Sequence, residues 1–159
     1  MSIKNILKYI LILVVLIVIA LFVMIKFDIG VNKVVIDTTI QTNYSNYLKL
    51  GNVAVKAEIV NTDATRQQGL SGRENLKEDE GMFFVFDKPD KYKFWMKDMN
   101  FPIDIIWFNQ EKEVVFIAKN TLPESYPELF GPEQDTLYVL EVMAGFTDKY
   151  KIKTGDSIE

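Results

Sequence analysis

Residues 9–25 form an uninterrupted apolar run bounded by Lys8 and Lys26. No other feature restricts the architecture as strongly, because a stretch this apolar must leave water. As a helix, its 17 residues reach about 26 Å, against a bilayer core roughly 30 Å thick. The flanking lysines bury their stems and carry their ammonium groups to the headgroups, which closes the difference. The rival reading is a cleaved signal peptide. Against it, the run exceeds a usual signal core, and no small-x-small cleavage site follows, Ala20 standing alone. Residues 1–27 are therefore expected to form an uncleaved, single-pass transmembrane helix. Lys4, Lys8 and the α-amino group precede the run, while Lys26, soon followed by Asp28, comes after it. The positive-inside rule keeps the N-terminus cytoplasmic and places the rest of the chain outside the cell membrane, in the envelope.

The anchor also changes the charge balance. Residues 1–27 hold three lysines and no acid, so the remainder carries 15 basic and 22 acidic side chains, a net of −7. Such an acidic ectodomain argues against nucleic acid and against docking on anionic lipid. Residues 28–50 are polar and rich in Asn, Thr and Tyr, as in a linker, and include the sequon Asn43-Tyr44-Ser45. Residues 51–159 are left as the folded domain.

Within that domain Val53, Val55, Ala57 and Ile59 alternate with polar residues, as in a half-buried strand. Asn61 or Thr62 caps a short helix that Gly69 or Gly72 ends. Further strands are expected over residues 82–86, 92–97, 103–108, 114–118 and 136–142, with a hairpin turn at 109–112. A second short helix is expected near residues 144–150. Residues 121–135 read as a loop holding three of the five prolines. With no βαβ alternation legible, the expected fold is mostly β: a compact antiparallel β-barrel or sandwich with two short helices.

The chain contains no cysteine and no histidine. Disulfides, iron–sulfur ligation, cysteine nucleophiles, Ser-His-Asp catalysis and most zinc sites are thereby excluded. Acid–base chemistry falls to carboxylates, lysine or tyrosine. No phosphate-cradling glycine motif and no calcium loop is present, so no cofactor or metal is expected.

Arginine usage is the sharpest local signal. Of 18 basic residues only Arg66 and Arg73 are arginine, seven positions apart within one Gly-containing segment, where a planar five-donor fork is called for. Asp104 and Glu141 each stand in an apolar row, which is costly for an unpaired carboxylate. These four residues are expected to pair at one site; the plain alternative is a buried ion-pair network that only fixes strand register. Trp95 and Lys97 share one face of their segment, a pairing of indole and ammonium suited to a sugar ring or an anionic group. Asp98, Asp104 and Glu141 are the candidate catalytic carboxylates. Six residues of extended chain hold Asp98 and Asp104 about 20 Å apart, too far for a glycosidase pair unless the chain turns sharply at Pro102.

Five strings, Arg66-x-x-Gly69-Leu70-x-x-Arg73, Gly81-Met82-x-Phe84-Val85-Phe86, Phe94-Trp95-Met96-Lys97, Pro102-Ile103-Asp104 and Tyr138-Val139-Leu140-Glu141-Val142-x-Ala144-Gly145, occur in this order. Over residues 53–158 the chain resembles domain-of-unknown-function family 192. The resemblance implies a small, mostly β domain, often secreted or membrane-anchored, and supplies no reaction. Lys97-Asp98-Met99, Met143 and a cysteine-free loop over residues 121–135 depart from the family's usual pattern. Three functions follow as expectations. The first is a membrane-anchored domain binding a polar or anionic ligand, such as a glycan, through Arg66, Arg73, Trp95, Lys97, Asp104 and Glu141. The others are a carboxylate-based hydrolase and a structural or partner-binding module.

Overall fold

The first described strand lies where the sequence suggests a linker. The structure, a computed structural model, describes residues 47–159; the expected anchor over residues 1–27 and Asn43 of the linker lie outside them. Strand β1 (Tyr47–Leu50) pairs antiparallel with β2 (Val53–Val60), and Gly51, at φ 58°, supplies the left-handed residue of the tight turn between them. Residues 47–50 are thus the sheet's edge strand, and Leu50 is fully buried. In β2, Val55 and Ala57 are buried as the alternation requires, while Ile59 is exposed.

Helix α1 (Asp63–Gln68) starts at Thr62, whose hydroxyl accepts from Thr65 N while Thr65 Oγ1 accepts from Thr62 N, a reciprocal cap. Gly69, at φ 51°, ends it. Strand β3 (Glu80–Asp90) then lies parallel to β2. This makes β2–α1–β3 a βαβ crossover, a correction to the expectation that none exists. Its helix has only six residues, too few to print a helical period on the sequence. Strands β4 (Ile103–Phe108) and β5 (Val114–Thr121) form the expected hairpin, and β6 (Thr136–Met143) leads into α2 (Phe146–Lys149).

The strands make one six-stranded sheet in the order β1-β2-β3-β6-β4-β5, antiparallel except at β2–β3. Mostly β architecture with two short helices therefore holds, but a barrel or sandwich does not: the sheet is not closed. No second sheet is needed, because other segments cover both faces. On one face Phe146, Ile152 and Ile158 pack onto Phe83, Ile106, Phe108, Leu140 and Val142. On the other, Leu70, Leu76, Met96 and Phe101 pack onto Met82, Phe84, Ile105, Trp107 and Val139. β4 is accordingly buried at all six positions.

Residues 92–97 form no strand, which corrects another expectation. They lie extended over the sheet face, held by a single bridge between Phe94 and Phe130 and by Trp107 Nε1 donating to Tyr92 O at 2.9 Å. Burial still alternates there, with Met96 buried and Trp95 half-exposed, because alternation reports which side faces the core and not whether the backbone is paired. Among the described residues, no helix is long and apolar enough to cross a membrane.

Candidate functional site

Register separates the two carboxylates that the sequence groups together. Across β4 and β6, Asp104 faces Val142 while Ile105 faces Glu141. Neighbouring residues of a strand point to opposite faces, so Asp104 and Glu141 project from opposite sides of the sheet. They cannot share a site.

Asp104 is fully buried on the side of α2. Its Oδ2 accepts from Thr147 Oγ1 at 2.6 Å and Thr147 N at 2.9 Å, and its Oδ1 from Asn120 N at 2.8 Å and Gly145 N at 3.3 Å. These donors include the otherwise unmatched N–H groups that begin α2. Asp104 is a structural clasp, with no lone pair left over for chemistry.

Glu141 has the opposite environment. It is 5% exposed, its row neighbours Met82 and Ile105 are apolar, and its Oε2 has no hydrogen-bond partner among the described residues. Burial pushes its carboxyl up to about 8, against a weaker downward pull from the charge of Arg73. Gly81 brings β3 close beside it: a Cβ at that position would lie 2.9 Å from Glu141 O.

Glu141 lines a cavity of about 260 Å³ between α1, the segment following it, β3 and residues 92–99. Phe84, Phe86, Tyr92, Phe94 and Trp95 give it aromatic walls, and Ser71 adds a hydroxyl. Phe86 and Tyr92 stack at 3.5 Å between centroids, and Phe84 meets Phe94 edge-on at 4.8 Å. Trp95 is half-exposed and packs edge-on against Tyr126 at 5.8 Å. Two hydrogen bonds to backbone carbonyls join the walls: Ser71 Oγ donates to Lys97 O at 2.9 Å, and Gly72 N to Asp98 O at 2.8 Å.

The expected pairing of both arginines with both carboxylates does not occur. Arg66 lines the cavity, yet its Nη1 donates to Asn61 O at 2.9 Å and Val85 O at 2.7 Å, and its Nη2 to Asp63 at 2.7 Å and Asp87 at 3.5 Å. The hydrogen bond to Asp63 is the largest cause of its raised pKa. Its guanidinium also lies 5.3 Å over the Phe86 ring, so Arg66 pins α1 to β3. Arg73 instead pairs with Glu58 at 2.5 Å, outside this cavity. The fork geometry suggested by arginine usage is real, but backbone carbonyls and nearby acids engage it.

Of the predicted site residues the cavity thus brings together Arg66, Trp95 and Glu141, and leaves out Arg73, Lys97, Asp98 and Asp104. Lys97 and Asp98 are exposed, and Asp98 adopts φ 55° at a turn. Sequence reasoning misses Phe84, Phe86, Tyr92 and Phe94 as wall residues. The period-two spacing of Met82, Phe84 and Phe86 marks one face, but looks the same for a packed core as for a cavity wall.

The family model DUF192, described as an uncharacterized ACR, matches residues 47–159. A crystal structure of a protein of unknown function from Novosphingobium aromaticivorans is similar, with TM-score 0.68 and 32% identity over 71% of this chain and 83% of that one. A second, from Sinorhizobium meliloti and described as a candidate transcription regulator, has TM-score 0.67 and 25% identity over 71% of this chain and 91% of its own. No curated protein matches the chain.

Proposed function

The chain belongs to domain-of-unknown-function family 192, and from that premise we propose that it binds a small polar ligand of glycan-like character in the cavity lined by Glu141. The observation that carries this reading is the unpartnered Oε2 of a buried carboxylate beside aromatic walls. A buried acceptor without a donor costs about 1–3 kcal/mol or more, a cost that a bound donor removes. Aromatic faces add stacking area for a sugar-like ring. At about 260 Å³ the cavity is below the usual range for drug-sized ligands and suits a molecule of monosaccharide size. The anionic alternative loses support, since the donors of Arg66 are engaged and Arg73 lies elsewhere.

The ligand is met outside the cytoplasm, with residues 9–25 holding the domain to the membrane. The acidic balance of residues 28–159 argues against nucleic acid as the partner. A carboxyl poised near 8 also suits a general acid, so the hydrolase reading narrows from three carboxylates to Glu141 alone.

Thermal unfolding of the full-length chain in detergent, screened against monosaccharides, tests the binding site. A ligand of the folded state raises the midpoint. The expected result is a rise in wild type and Arg73→Ala that is lost in Trp95→Ala and Glu141→Gln. A rise of the same size in all four proteins places the ligand elsewhere and ends the proposal.

A further inference from the structure

The cations lining the cavity already have counter-charges, and its carboxylate does not. Arg66 is bonded to Asp63 and Asp87. Lys93 Nζ donates to Glu133 Oε1 at 2.7 Å, Gly131 O at 2.8 Å and Pro132 O at 2.9 Å. Glu141 has only the distant influence of Arg73, which is itself paired with Glu58. Around the cavity, Asp63, Asp87, Glu133 and Glu141 therefore outnumber Arg66 and Lys93.

Resting on the binding reading above, we propose that the ligand group meeting Glu141 is a cation: a primary ammonium on a body of monosaccharide size. An ammonium has three donors and no acceptor, which matches a carboxylate without any donor. It also matches an aromatic lining that includes Trp95, Phe84 and Phe94, because ring faces carry negative potential and attract cations. Neutral hydroxyl groups could satisfy the hydrogen bonding of Glu141 but not its charge. An anion would face Glu141 with no unengaged cation in the lining. Burial raises the proton affinity of Glu141, so a proton neutralises the carboxylate when the cavity is empty.

Three probes of nearly equal shape and different charge decide the matter: glucosamine, glucose and glucuronate. Binding to the full-length chain in detergent is read by quenching of tryptophan fluorescence and by calorimetry at pH 7. Glucosamine is expected to bind about tenfold or more tightly than glucose, with glucuronate weakest, since one charge-assisted contact is worth that factor. Glu141→Gln is expected to weaken both sugars and to erase the preference for glucosamine. It keeps the shape of the side chain and cannot ionise, so the variant is expected to stay folded, and its circular dichroism and unfolding midpoint verify this. Equal binding of glucose and glucosamine, or tighter binding of glucuronate, overturns the cation and leaves the binding site standing. If none of the three binds, both readings fall together.

Discussion

In the folded protein Glu141 holds a proton at pH values where the unfolded chain has already lost it. Its folded pKa, about 8, lies above the ordinary 4.5, so the folded state binds the extra proton between these limits. Stability from this group is fully present below about 4.5, falls by about 1.4 kcal/mol per pH unit as pH rises, and levels off above about 8. Its row neighbours Met82 and Ile105 carry no charge, Arg66 and Lys93 share its cavity, and Arg73 opposes the shift only weakly. Glu141→Gln is therefore expected to be more stable than wild type at pH 8, and the difference to shrink toward pH 5. Urea unfolding across that range measures it. The carboxylates of Glu78, Glu80 and Glu133, whose pKa values their lysine partners lower, cancel in the comparison because both proteins keep them. A difference that does not change with pH would mean that Glu141 is ionised in the fold. At this scale the sequence identifies the right residue, since a carboxylate in an apolar row is conspicuous. It cannot show that Asp104, equally conspicuous, finds four donors and Glu141 none.

Asp104 acts through the elements it joins. From β4, next to the edge strand β5, it gathers Asn120 at the end of β5 and both Gly145 and Thr147 at the start of α2. Removing the carboxylate leaves both buried donors of Thr147 unmatched, at about 1–3 kcal/mol for each, and frees the N–H groups of Asn120 and Gly145. Asp104→Ala is expected to lose about 3 kcal/mol or more in urea unfolding, at the upper end of single-substitution effects. Ligand binding at the Glu141 cavity, on the other face, is expected to persist under conditions where the variant is folded. α1 shows the reverse economy: it is fixed from within by the Thr62–Thr65 cap and Gly69, and from outside by Arg66. Caps are local, and so the helix is legible in the sequence. The parallel pairing of β2 with β3 is not, because it depends on where the chain goes after the helix.

For the whole molecule, the open sheet leaves β1 and β5 as edges, and unpaired edges invite association. The C-terminal segment pairs with one end of each, the end of β1 and the start of β5. Glu159 and Lys49 exchange backbone hydrogen bonds on the β1 side, while Ile158 N donates to Lys112 O and Val114 N to Asp156 O on the β5 side. Ile158 is 4% exposed within the core. Deleting residues 155–159 is expected to cost about 2–3 kcal/mol from Ile158 burial alone, read as a lower urea midpoint. Size-exclusion chromatography is expected to show concentration-dependent association as the edges open. The sequence by itself determined most of the elements, though neither β1 nor the unpaired course of residues 92–97, together with the helix cap, the family and the rarity of arginine, histidine and cysteine. Each of these rests on local spacing or on residue identity. It also determined which face each strand residue occupies, because side chains alternate along a strand. Only the tertiary structure decided which charges meet. Arg66 finds Asp87, Arg73 finds Glu58, Asp104 finds Thr147, and Glu141 is left alone beside a cavity. Such partners lie many residues away in the chain, and a one-residue difference in register puts two similar carboxylates on opposite faces of the same sheet.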